Sequence, residues 1–101
     1  MRCHTKFLPD QLGEIIKIDA PPPLSYDRAR ALAGEAAAER LAEPMLLGWY
    51  ESASGRFSPQ VECCDEEKPG WIVYAQSRGG EMAVEVGRGD YYFIFGEGAR
   101  S

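Results

Sequence analysis

The residues best suited to chemistry form two adjacent pairs, Cys63–Cys64 in the stretch VECCDEEKPGW and Cys3–His4 near the start of the chain. Three thiols and an imidazole have the composition of a zinc site, and two neighbouring thiols alone suggest redox exchange. The spacing argues against both. Zinc modules separate paired ligands by about two to four residues, whereas neighbours in an extended chain point to opposite faces, and a disulfide between adjacent cysteines strains the linking peptide. Glu62, Asp65, Glu66 and Glu67 surround the pair with negative charge, offset by Lys68. Such a field raises thiol pKa values, while a reactive cysteine needs a positive setting. The expected reading is a loop or strand end with one thiol buried. A metal- or thiol-dependent protein using Cys63 and Cys64 with Cys3 or His4 is the alternative.

No other chemical signal is stronger. His4 is the one histidine, and no serine or cysteine motif places it as a base, so no catalytic residue is assigned. The GRGD stretch, Gly87 to Asp90, has glycines like a small phosphate loop, but a strand pattern follows it instead of a helix N-terminus. It reads as a hairpin turn. Its Arg88-Gly89-Asp90 tripeptide is a frequent chance match to an adhesion motif, and the DEEK run is expected to be a solvated loop, with weak calcium binding the alternative.

The elements that would carry these residues follow from periodicity. Leu12 to Asp19 reads as a strand with Ile16 and Ile18 on one side and Ile15 and Lys17 on the other. The prolines of APPPL lack N–H donors and prefer an extended polyproline form, which makes a rigid connector. Ser25 can cap a helix running to about Glu43, ahead of Pro44. Tyr26, Ala29, Leu32, Ala33, Ala36, Ala37 and Leu41 share its apolar face, with Arg28, Glu35 and Glu39 opposite.

From Met45 onward, short aromatic and β-branched runs alternate with glycine turns, the pattern of hairpins. A two-residue turn at Gly79-Gly80 would pair Arg78 with Glu81, Gln76 with Ala83 and Tyr74 with Glu85. The turn at Gly87 to Asp90 would pair Val86 with Tyr91, Val84 with Phe93 and Met82 with Phe95. Together they send Trp71, Val73 and Ala75 inward with Met82, Val84 and Val86, and align Tyr74, Glu85 and Tyr92 in a row across the other face. The hairpin from Met45 to Val61 admits a two-residue or a three-residue loop, which bury opposite sets, so either Trp49 or Tyr50 points inward.

Composition bounds the rest. The chain has 101 residues, 45% hydrophobic and 27% charged, enough for one core without staples. A net charge of −5 with no basic patch argues against nucleic acid and anionic membrane partners. The longest apolar runs fall far short of the roughly 20 residues of a membrane span. The first ten residues lack the apolar middle of a secretion signal, and three cysteines fit a reducing compartment, so a cytoplasmic chain is expected.

A resemblance rests on Gly48-Trp49, Arg56-Phe57-Ser58-Pro59, Glu62-Cys63-Cys64, Pro69-Gly70-Trp71, Tyr74-Ala75, Ser77-Arg78-Gly79-Gly80 and Tyr92-Phe93-Ile94-Phe95. These stretches, over about the last half of the chain, resemble a small uncharacterised family from anaerobic bacteria and archaea. The resemblance implies a compact helix-and-sheet fold and carries over no activity, substrate or catalytic residue.

The expectation is a single α+β domain over residues 1–101, with 1–11 set apart as a candidate tail. One main helix packs on an antiparallel sheet of about five or six strands built largely from hairpins. With one helix covering one face, the other face stays wet and offers Trp49, Tyr74 and Tyr92 as contact area, with Arg78, Glu81 and Glu85 setting register. The favoured function is a non-catalytic module that self-associates through that face or a sheet edge, with a homodimer or another protein as partner and no cofactor. A small-ligand enzyme with its cleft between helix and sheet, near Arg30 and Arg40, is the third reading.

Overall fold

The structure, a computed structural model, describes residues 12, 14–58 and 70–98. Within them the chain runs β1 (Ile15–Ile18), α1 (Tyr26–Ala38), β2 (Pro44–Glu51), β3 (Arg56–Ser58), α2 (Gly70–Ser77), β4 (Gly80–Val86) and β5 (Tyr91–Glu97). The strands form one sheet in the order β1-β4-β5-β2-β3, antiparallel except where β1 pairs β4 in parallel. This is an α+β fold with a main helix on a largely antiparallel sheet, and a second helix lies on the opposite face. None of the described helices is long and apolar enough to cross a membrane.

α1 forms as its sequence dictates. The Ser25 hydroxyl accepts from the Arg28 N–H at 3.2 Å, satisfying a donor that the first turn leaves free. Ala29, Ala33 and Ala37, one turn apart, are fully buried against Met82, Val84, Val86 and Phe93. Tyr26, Leu32, Ala36 and Leu41 pack around them, so the expected apolar face is the observed one. The helix stops at Ala38, short of Glu43. Beyond it the Glu97 carboxylate accepts from the N–H groups of Ala42 and Glu43, at 3.0 and 2.7 Å, drawing them away from helical carbonyls.

The strand expected over Trp71 to Arg78 is instead α2, which corrects the first of the two turn assignments. Gly79 has φ +93° and lies just past the helix, with its N–H donating to the Gln76 carbonyl at 3.2 Å. A glycine with positive φ ends a helix as readily as it turns a hairpin, and here it does the former. Tyr74, Gln76 and Arg78 therefore do not pair with Glu85, Ala83 and Glu81. The second turn stands as expected, with Val86 opposite Tyr91, Val84 opposite Phe93 and Met82 opposite Phe95. The Pro22–Pro23 bond in the connector is cis.

α2 lies on the face that the hairpin reading left wet. Its Trp71, Ile72 and Ala75, spaced to share one side of a helix, are buried with Ala83, Tyr92 and Ile94 of the sheet. A bulge between Leu46 and Gly48 on β2 shifts the alternation of side chains. It puts Leu46 and Trp49 on the α1 side and Leu47 and Tyr50 on the α2 side. The choice between Trp49 and Tyr50 thus resolves as both, each half-buried under a different helix. The loop between β2 and β3 has four residues, closed by Glu51 opposite Arg56, and is neither of the two expected lengths.

Gly48 of β2 packs closely against α2. A Cβ there would lie 3.0 Å from the Ser58 carbonyl oxygen and 3.2 Å from the Trp71 ring. Replacing Gly48 with Val should destabilise the fold by about 1–3 kcal/mol, because backbone on one side and a buried ring on the other leave no room to yield. Urea unfolding should show a lower midpoint at unchanged slope, and an unchanged midpoint would mean that α2 does not pack there.

Candidate functional site

The residues expected to make one wet face are divided by the fold. Trp49 lies under α1, its ring centroid 4.9 Å from that of Tyr26. Tyr92, on the other side of the sheet, is only 6% exposed beneath α2. Tyr74 is half-buried on α2, with the Arg78 guanidinium 5.0 Å above its ring. Glu81 lies in β4, one residue before Met82 at the bulge. Of the expected row, Glu85 and Tyr92 do sit opposite each other on β4 and β5, but Tyr74 is absent from it. The wet aromatic face is therefore corrected to a buried one. The cause is a helix that the sequence pattern disguised as a strand.

What those aromatics form instead is a layer between sheet and helix. Tyr50 stacks on Trp71 with centroids 5.9 Å apart and ring planes 11° from parallel, and Tyr92 lies 6.5 Å from Tyr50. Burial, followed by the nearby Glu85 carboxylate and its hydrogen bond, pushes the Tyr92 hydroxyl up to about 12. At the C-terminal end of β2, one residue beyond Tyr50, a polar group gathers around Glu51. The Ser54 hydroxyl donates to its Oε1 at 2.6 Å, the Tyr91 hydroxyl lies 3.1 Å from its Oε2, and Arg56 Nε is 3.4 Å away. The Ser54 bond leads the causes that hold the Glu51 carboxyl below its usual range, and burial leads those that raise Tyr91. These contacts tie a turn to the end of a sheet.

The cleft expected between helix and sheet exists in part. A cavity of about 330 Å³ opens between the C-terminal ends of both helices, with Glu14, Arg40, Leu41 and Gln76 in its walls. Arg30 lines a different groove, beside Gly34, Leu46 and Phe95, so the two arginines do not converge on one ligand. Cys3, His4, Cys63 and Cys64 lie outside the described residues.

The outer strands present a different surface. β3 is three residues long and carries the exposed Arg56. β1 is longer and more apolar: Ile15, Ile16 and Ile18 are only half-buried, while Lys17 is exposed and sits opposite Glu85 of β4. Sequence reasoning finds this strand but gives it no role, because a run of isoleucines reads as core until its place at the rim of the sheet is known.

Comparison with known proteins agrees with the fold. Residues 14–95 match a family model described as a domain of unknown function, DUF5619. An uncharacterised protein of Archaeoglobus fulgidus is 33% identical over 83 residues, which span 82% of this chain and 88% of the relative. A crystal structure of a protein from Archaeoglobus fulgidus superposes with a TM-score of 0.71 at 27% identity, covering 87% of this chain and 98% of that one.

The layer under α2 predicts an alkaline response. An unfolded tyrosine ionises near pH 10, and the folded Tyr92 near 12. A raised folded pKa gives stabilisation that is whole below about pH 10 and is lost as pH climbs toward the folded value. The unfolding midpoint of the native chain should therefore drop more steeply over that interval than that of Tyr92→Phe. Parallel slopes would show that Tyr92 is not held beside Glu85 under the helix.

Proposed function

Since the chain belongs to the DUF5619 family, a domain of unknown function with no activity attached, we propose that it is a non-catalytic module that associates with a second copy of itself through the rim of its sheet. The observation that supports this reading is the outer strand β1, whose three isoleucines remain half-buried while both faces of the central strands are closed. A strand at the rim carries unmatched backbone donors and acceptors, and joining another strand satisfies them along with the apolar side chains. The faces no longer compete for the role. Tyr92 and Ile94 are beneath Trp71, Ile72 and Ala75 of α2, and Met82, Val84 and Phe93 are beneath α1.

Natural sheets blunt their rims with short strands, charges and proline. β3 has two of these features, being three residues long with Arg56 exposed, and Pro59 follows directly in sequence. β1 carries one exposed charge, Lys17, which sits opposite Glu85 in the next strand.

Sedimentation from low micromolar to near-millimolar protein should show the mass moving from one chain toward two. Each copy carries −5, so moderate salt should strengthen association by screening that repulsion. A mass of one chain at every concentration and salt level, with no co-purifying protein partner, rejects the proposal.

A further inference from the structure

Resting on that reading, we infer that the contact is an antiparallel pairing of β1 with β1 of the second copy, with the two-fold axis passing at Ile16. The backbone supplies the argument. Gly87 donates its N–H to the Ile18 carbonyl at 2.9 Å, so Ile18 turns its main-chain polar groups toward β4. N–H and C=O groups alternate sides along a strand, which means that Ile16 also faces β4 while Ile15 and Lys17 face outward. β1 is the outermost strand on that side among the described residues, and none of them meets those outward groups.

A two-fold axis perpendicular to the sheet restricts the register. Residues directly opposite must lie on the same face, so the axis passes through a residue position instead of between two. Centred on Lys17, the pairing would put two ammonium groups directly opposite each other, which is destabilising. Centred on Ile15, it would send Lys17 past the N-terminal end of β1 in the other copy. Centred on Ile16, it pairs Ile15 with Lys17 of the second copy on both sides of the axis, and each pair exchanges both of its backbone bonds. The outward groups of the strand are then all used. Ile16 meets its own counterpart on the α1 face, where the half-buried side chain already packs against the core. The lysine stem covers Ile15 on the α2 face, the face that Glu85 of β4 shares with Lys17 by register. The contact is isologous and closes at two copies.

Two variants test this. Lys17→Pro removes an N–H that points away from β4, so it spares the bonds of the monomer, and proline is tolerated at such a rim position. Lys17→Gln controls for the charge. The dissociation constant of the dimer should rise more than tenfold in Lys17→Pro, which loses one donor from each copy, and change little in Lys17→Gln. Separately, Ile16→Cys in a chain with Cys3, Cys63 and Cys64 replaced by Ser should form an intermolecular disulfide under mild oxidation. Opposed residues of a non-hydrogen-bonded pair have Cα atoms about 4.5 Å apart, within disulfide reach. Lys17→Cys in the same background should not cross-link efficiently. If the native chain dimerises but Lys17→Pro dimerises equally well and the Ile16→Cys chain stays reduced, the inference falls and self-association stands. If the native chain never dimerises, both fall. Should Lys17→Pro fail to fold by circular dichroism, the cross-link of the Ile16→Cys chain decides alone.

Discussion

From Tyr91 to Gly96 the central strand β5 is buried at every residue, and that requirement organises the molecule around it. A strand with water on one side alternates apolar and polar residues, but YYFIF is a continuous run, the composition of a strand enclosed from both directions. Two layers must therefore cover the sheet. α1 supplies one with alanines small enough to let its backbone approach Val84 and Phe93, and α2 supplies the other through Trp71, Ile72 and Ala75. The bulge at Leu46 to Gly48 fits β2 to both layers at once, turning one large side chain to each.

Much of this is legible in the residues alone. The Ser25 cap, the alanine face of α1 and the β4–β5 register each rest on a local pattern with one low-energy answer, and each is observed, while the strand expected over Leu12 to Asp19 is observed over Ile15–Ile18 alone. α2 reads as a strand because its signals have two answers. Ile72, Val73 and Tyr74 favour strands weakly, a preference that packing overrides, and Gly79-Gly80 suits a hairpin turn as well as a helix end. The continuous apolar run in β5 is the counter-signal, since a wet Tyr92 and Ile94 would require alternation there. The site follows the same division. Spacing sets Glu85 and Tyr92 opposite each other, as observed, but whether that pair meets water depends on a layer that no spacing rule announces.

With both faces of the central strands closed, the perimeter of the sheet is asymmetric among the described residues. One rim ends in a three-residue strand with an exposed arginine, the other in a strand of isoleucines parallel to its neighbour. β1 and β4 are far apart in the chain, with α1, β2, β3 and α2 between them, a connection long enough for parallel pairing.

The hydrogen bonds from Ala42 and Glu43 to Glu97 tie the junction between the first helix and β2 to a residue more than fifty positions later. During synthesis on a ribosome, α1 and β2 emerge well before the strand that pairs with β2 and anchors this junction. Until β5 leaves the exit tunnel, the alanine stripe, Trp49 and the isoleucines have no completed surface to lie on, and an emerging chain holds them exposed. The centre of the sheet is also the last of the described strands to be made. Folding is thereby postponed to nearly the whole length of the described chain, and the interval before it is the period of greatest exposure to chaperones and to neighbouring nascent chains.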